Sequence, residues 1–260
     1  MSRTHLVIPD SHAHPDHNND RFTWLGKLIV DIKPDVIVNL GDQADMASLC
    51  SYDKGTLSSE GRRYQADCEA NIDANQKLFG EIDKYNKWRR KDRYNPETYF
   101  CLGNHEDRID RYVKENPEFH GQLSMADLKN EEYWDEVVPF LQPKEVDGVY
   151  YAHYFTSGVM NRAIAGEHPA YQCIAKKHVS CISGHSHLRD FCERTTADGR
   201  RLMSLVGGVY QDYEADYAGE ANKMWWSGVV LLRNVEDGQF DHVLLASPDR
   251  DWETDRKSVV

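Results

Sequence analysis

The chain has 260 residues, 40% of them hydrophobic and 28% charged, which is the make-up of an ordinary globular protein with one sizeable core. A formal net charge of −12 argues against a protein that wraps duplex nucleic acid, since that needs a basic face, and favours a small or narrowly gripped substrate. No apolar run approaches the ~20 residues that span a bilayer, and the short apolar stretch near the N-terminus runs straight into charged sequence, so neither a membrane span nor a signal peptide is expected and the chain reads as cytoplasmic.

Residues 4–10 (THLVIPD) form a short β-rich run that ends on Asp10, as a buried strand would. From Asp20 to Ile32, apolar side chains at Phe22, Leu25, Leu28, Ile29 and Ile32 follow helical spacing, and Pro34 stops the helix. DVIVNLGD is then a second buried strand, ending on Asp42, which predicts a β-α-β unit and a parallel sheet. Between about 56 and 94, the spacing of Tyr64, Cys68, Ile72, Phe79 and Ile82 predicts a long amphipathic helix, read as an insertion. Its end concentrates Lys84, Lys87, Arg89, Arg90, Lys91 and Arg93 around Trp88; this is either a solvated helix terminus or a patch that grips a nucleotide or single strand.

TYFCLGNHED and HVSCISGHSH repeat the pattern of an apolar strand running into a polar turn. The later runs GVYYAHYF, RRLMSLVGGVY, WWSGVVLLRN and FDHVLLAS have few helices between them and predict an antiparallel sheet. The expected fold is α/β: a four-layer α/β/β/α sandwich of two packed mixed sheets with flanking helices and the long helical insertion. A single domain is expected over 1–248, followed by a polar tail over 249–260. The six cysteines are scattered without C-x-x-C spacing and read as reduced and mostly buried.

Ligand-type side chains sit where these strands end, in five blocks: Asp10-Ser11-His12, Gly41-Asp42-Gln43-Ala44-Asp45, Gly103-Asn104-His105-Glu106, His153, and Gly184-His185-Ser186-His187. In open α/β sheets, sites form outside the carboxyl ends of strands, so these blocks can converge. Carboxylates and imidazoles in such a cluster suit a pair of divalent transition-metal ions, the equipment of phosphoester hydrolysis. Each block alone has a bland reading as a turn; five in order are far harder to explain that way.

The ordered set D-x-H, G-D-x-x-D, G-N-H-E, H, G-H-x-H resembles the calcineurin-like metallophosphoesterase family over residues 4–190. The resemblance implies that Asp10, His12 and His187 bind one ion, that Asn104, His153 and His185 bind a second, and that Asp42 bridges the two, with a shared hydroxide as nucleophile. Manganese is the first expectation for both ions, with iron, zinc, nickel or magnesium as alternatives. It further implies that His105 donates a proton to the leaving group and that Asp45 orients its ring. His168 and His178 remain alternatives to His153. Arg108 is either a phosphate contact or a helix-surface arginine, His14 and His17 belong to the site mouth, and Gly207-Gly208 forms a structural turn nearby. Because the first block is not G-D-x-H-G and the last carries two histidines, the pattern resembles the phosphodiesterase and nuclease branch more than protein phosphatases. The expected substrate is a nucleotide or a single-stranded nucleic-acid end; a phosphomonoesterase and a non-catalytic metal-binding scaffold are the alternatives.

Overall fold

The computed structural model describes residues 2–246, so the tail expected at 249–260 lies outside the described residues. In chain order, the first half contains β1 (Arg3–Ile8), α1 (Asp20–Ile32), β2 (Val36–Asn39), α2 (Tyr64–Asn86), β3 (Glu97–Cys101), α3 (Arg108–Glu115), β4 (Glu136–Val138), β5 (Lys144–Val146) and β6 (Val149–Ala152). There follow a small hairpin of β7 (Thr156–Ser157) and β8 (Arg162–Ala163), then α4 (Pro169–Lys177), β9 (Ser180–Ser183), β10 (Arg189–Thr195), β11 (Arg201–Gly207), β12 (Gly228–Glu236) and β13 (Gln239–Ala246). The fold is mixed α/β with two mixed sheets: a six-stranded one in the order β13-β12-β1-β2-β3-β4 and a five-stranded one in the order β10-β11-β9-β6-β5.

Side-chain alternation along the strands explains how the core divides. Leu6 and Ile8 point to one face of β1 and pack with Ile37 and Phe100 against Phe22, Leu25 and Ile29 of α1 and Ala74 and Leu78 of α2. Val7 points to the other face and joins Val36, Val38 and Leu40 in a cluster shared with Tyr151, Ile182 and Leu205 of the second sheet. A third cluster ties Cys173 of α4 to Ala152 and Cys181. Strands β1 and β2 are thus apolar on both faces, as parallel strands covered on both sides must be.

The β1-α1-β2 unit forms as the sequence predicts: α1 spans Asp20–Ile32 and ends on Lys33 in the left-handed conformation, just before Pro34. Two expectations need correction. The helix read as an insertion is the crossover between parallel β2 and β3, and it lies against α1 in the main core. Its buried stripe includes Asn71 and Asn75, polar side chains that periodicity reads as solvated. The second half is also not simply antiparallel. In the five-stranded sheet β9 runs parallel to both β6 and β11, because α4 supplies the crossover that returns the chain to the same end, while β12 and β13 leave to extend the first sheet. All six cysteines carry free thiols, four of them buried. Among the described residues, no helix is long and apolar enough to cross a membrane.

Candidate metal centre

Each of the five blocks lies just past the carboxyl end of a strand: Asp10 after β1, Asp42 after β2, Asn104 after β3, His153 after β6 and His185 after β9. The turns that follow are strained, with His12 (φ 41), Asp42 (φ 50), His185 (φ 68) and His187 (φ 58) all in the left-handed region. Non-glycine residues there cost roughly 1–3 kcal/mol each and cluster where side chains must be aimed. The glycines preceding the ligands answer a different need. A Cβ on Gly103 would fall on the Asp42 carboxylate, and one on Gly184 would fall on that of Asp10, so each backbone lies flat against a buried carboxylate.

The β1 and β2 loops are bound together by backbone bonds: Ser11 and His12 donate their N–H groups to the Asp42 carbonyl at 3.2 and 2.9 Å. The result is two groups of side chains, each able to hold an ion. Asp10, His12 and His187 form the first; Asp42, His153 and His185 form the second, with ligand atoms in each within 4.8 Å of one another. In the first, His187 Nε2 lies 3.1 Å from Asp10 Oδ2 and 3.2 Å from His12 Nε2. In the second, His153 Nε2 lies 2.8 Å from Asn104 Oδ1, 3.2 Å from His185 Nδ1 and 3.3 Å from Asp42 Oδ2.

The donor set fits metal ions. The Leu40 carbonyl, 3.0 Å from His153 Nδ1, can only accept, so it takes the proton on that nitrogen. Nε2 then faces two acceptor oxygens and the His185 ring nitrogen, a convergence that needs a cation there, either a proton or a metal ion. The electrostatics agree. Burial alone would raise Asp42 and Asp10, yet the neighbouring imidazoles hold both carboxyls below the usual range. Burial pulls His153 down, but Asp42 and Asp10 outweigh it and push the ring up to about 9. His185, buried beside His153, falls to about 4 and stays neutral with its lone pair available.

A third group, His12, Asp45 and His105, also has suitable ligand spacing. Here both ring nitrogens of His105 are engaged: Nδ1 donates to the Asp45 carbonyl at 2.7 Å, with Asp45 Oδ1 at 3.1 Å, and Nε2 faces Arg108 Nη2 at 3.0 Å. A guanidinium against the ring leaves no lone pair or electrostatic room for another cation, so this group is a hydrogen-bonded cluster. Asp45 orients His105, and its Oδ1 also lies 3.2 Å from His12 Nδ1. Arg108 bonds the Asp45 carbonyl at 2.8 Å and faces the His105 ring.

The structure brings Asp10, His12, Asp42, Asp45, Asn104, His105, His153, His185 and His187 to one place. His168 and His178 flank α4 instead, outside these groups. His14 and His17 line a pocket beside His12 and Asp45, as mouth residues would. Gly208 lies in a left-handed turn where a Cβ would meet Trp226, which makes the Gly207-Gly208 pair a packing feature.

Sequence reasoning missed three supports. Buried Glu106 accepts from the N–H groups of Asp42 (3.0 Å), Ala44 (2.9 Å) and Gly103 (2.8 Å), and burial together with the Asp42 charge raises it to about 7. Arg21 donates to the carbonyls of Ser11 (2.6 Å) and His12 (3.2 Å), locking the β1 loop. Gln43 bonds Asn71 and Asn75 of α2, both at 2.9 Å. A signal existed for Arg21: it is a cation on the apolar face of α1, one turn from Leu25.

No family model matches the sequence, and no curated protein matches it. Among solved structures, one described as a novel archaeal phosphodiesterase aligns at 12% identity with a TM-score of 0.40, covering 93% of this chain and 99% of that one. A second aligns at 11% identity with a TM-score of 0.44, covering 95% of this chain and 100% of that one. Likenesses at this level carry no argument, and the reading of the centre rests on its own geometry.

Proposed function

We propose that this chain is a dinuclear-metal-dependent phosphoester hydrolase of the calcineurin-like kind, acting as a phosphodiesterase on a nucleotide or nucleic-acid end. The observation that carries the reading is the pair of buried ligand groups, Asp10-His12-His187 and Asp42-His153-His185, set beside an imidazole that neither group uses. The core clusters that join α1 and α2 to one sheet, the two sheets to each other, and α4 to the second sheet support a four-layer sandwich.

Asp10, His12 and His187 would hold one ion, Asn104, His153 and His185 the other, with Asp42 shared; manganese is the ion we favour. When bound, such ions supply Lewis acidity and lower the pKa of a water toward neutrality. The chain's own groups do the rest. Glu106 and Arg21 fix the loops that carry the ligands. The Asp45 carbonyl holds the proton on His105 Nδ1, which leaves Nε2 for the substrate. Burial pulls His105 down, but the Asp42 and Asp45 carboxylates raise it above the ordinary imidazole value, favouring a ring that carries the proton a departing alkoxide needs. Arg108 now faces Nε2; an anionic ester draws the guanidinium to its own oxygens and frees that nitrogen to carry the proton.

Hydrolysis of bis(p-nitrophenyl) phosphate and of p-nitrophenyl phosphate, each with Mn²⁺ and with chelator, tests the proposal. Metal-dependent turnover with the diester preferred is the expected result. A preference for the monoester would make the protein a phosphatase, and no turnover with any divalent ion would leave a metal-binding scaffold.

A further inference from the structure

Two pockets flank the candidate centre, and their chemistry differs. One, of about 540 Å³, opens beside His12 and Asp45 and is rimmed by Asp16, Asp53, Glu60 and Glu214. Its one guanidinium, Arg62, is paired with Asp53 at 2.6 Å, and its rings His17 and Tyr213 stack on each other at 3.7 Å. The other, of about 430 Å³, opens beside Asn104 and His185. It sets Lys54, Arg108 and Arg111, the last paired with Asp107 at 3.1 Å, against a single lining carboxylate, Glu115, and adds the exposed ring of Tyr52 and the half-buried rings of Tyr112 and Tyr154. Tyr154 sits 4.6 Å from the His185 ring, so the aromatic lining reaches the ligand group itself.

An anionic substrate is repelled by the first pocket and attracted by the second. The second also has the volume of an ordinary small-ligand site and, of its three tyrosines, holds two half-buried ones, Tyr112 and Tyr154, whose rings suit a planar ligand. We propose that the pocket beside Asn104 and His185 is a nucleotide subsite: the tyrosines take the base, and the lysine and arginines take the negative charge on the sugar-phosphate next to it. The role of this subsite in turnover rests on the hydrolase reading; its role in binding does not. The 47–59 stretch that contributes Lys54 is a chain of short 3-10 turns between β2 and α2, so the specificity element belongs to the crossover and not to the ligand blocks.

Calorimetric titration of the Mn²⁺-loaded protein with thymidine 5′-monophosphate and with deoxyribose 5-phosphate tests the inference, because the two ligands differ only in the base. The nucleotide should bind at least about 10-fold more tightly, the size expected for one stacked base. Tyr112→Leu should bring the two ligands to within about 3-fold by weakening the nucleotide alone, and Tyr154→Leu should do the same. Arg111→Gln should weaken both ligands. Equal affinities in the unaltered protein, or a base preference that survives both tyrosine variants, would overturn the subsite. Turnover of bis(p-nitrophenyl) phosphate by the same samples separates the two ideas. A base preference without turnover keeps the subsite and removes the hydrolase, while turnover without a base preference does the reverse.

Discussion

Both nitrogens of the His105 ring are engaged, one by the Asp45 carbonyl and one by Arg108, with Nε2 also 3.7 Å from Asp42 Oδ2. On the proposed reading a side chain so placed would serve proton transfer without holding an ion. His105→Ala should therefore keep full metal content while losing roughly 10²–10⁴-fold in turnover, the usual worth of a general acid. Metal analysis beside steady-state kinetics checks both halves, and unaltered turnover would move the proton donor elsewhere. Asp42→Asn is expected to behave differently, because the Asp42 carboxylate meets His153 and its carbonyl anchors the β1 loop of the other group. Bound metal measured after gel filtration should fall at both positions together; a variant that still holds two ions would refute the bridging role. These side chains were legible because they fall in ordered blocks at strand ends. Glu106 was printed in the same block but gave no hint of its task, since a carboxylate that accepts three backbone N–H groups looks, in sequence, like any helix-proximal acid.

At the scale of elements, what could be read was what periodicity controls. The β1-α1-β2 unit follows from apolar spacing and a stopping proline. The place of α2 does not, because a third of its buried residues, Asn71, Asn75 and Asn86, are amides. Gln43, between Asp42 and Ala44, donates to Asn71 and Asn75; those in turn donate to Asn130 Oδ1 at 2.9 and 3.0 Å, and Trp134 donates to Asn75 at 3.1 Å. A fully satisfied buried network of this kind fixes one helix position, whereas an apolar stripe tolerates sliding. Asn75→Leu keeps the size of the side chain but leaves Gln43, Trp134 and Asn130 short of partners. Its expected cost is about 2–4 kcal/mol in urea unfolding, since each stranded buried group costs about 1–3 kcal/mol. Because Gln43 adjoins Asp42, metal affinity should also weaken by about 10-fold or more, as with other supports behind ligands. A variant that loses stability but binds metal normally would show that α2 supports the fold alone. The pairing of β12 with β1, by contrast, joins segments more than two hundred residues apart, and no local pattern announces it.

Across the whole molecule, the centre couples folding to pH, and bound ions should invert part of that coupling. Without metal, His153 is raised from its ordinary 6.5 to about 9 by the buried carboxylates. A raised folded-state pKa contributes stability that is complete below the unfolded value of about 6.5 and is lost as pH climbs toward 9. His185 works in the opposite direction: held at about 4 by burial and by His153, it stays neutral while the unfolded chain protonates, so its contribution is present above about 6.5 and fades as pH falls toward 4. Buried His5, lowered by desolvation and tied to Tyr151 and Asp147, adds to the acid-side loss. Glu106, raised to about 7, opposes His185 on the acid side, so the clear window is the alkaline one: between pH 6.5 and 9 the melting temperature of chelated protein should drop by roughly 5–10 °C, the equivalent of a few kcal/mol in a chain of this size. With ions bound, His153 Nε2 would meet a metal in place of its proton, and deprotonated ligands bind more tightly as pH rises. The melting temperature of Mn²⁺-loaded protein should then hold or rise over the same interval, with stabilisation of about 2.7 kcal/mol expected at a metal concentration a hundred times Kd. Melting curves at pH 6.5 and 9, with chelator and with Mn²⁺, decide the matter: parallel loss in both series would mean that no ion takes the place of the His153 proton.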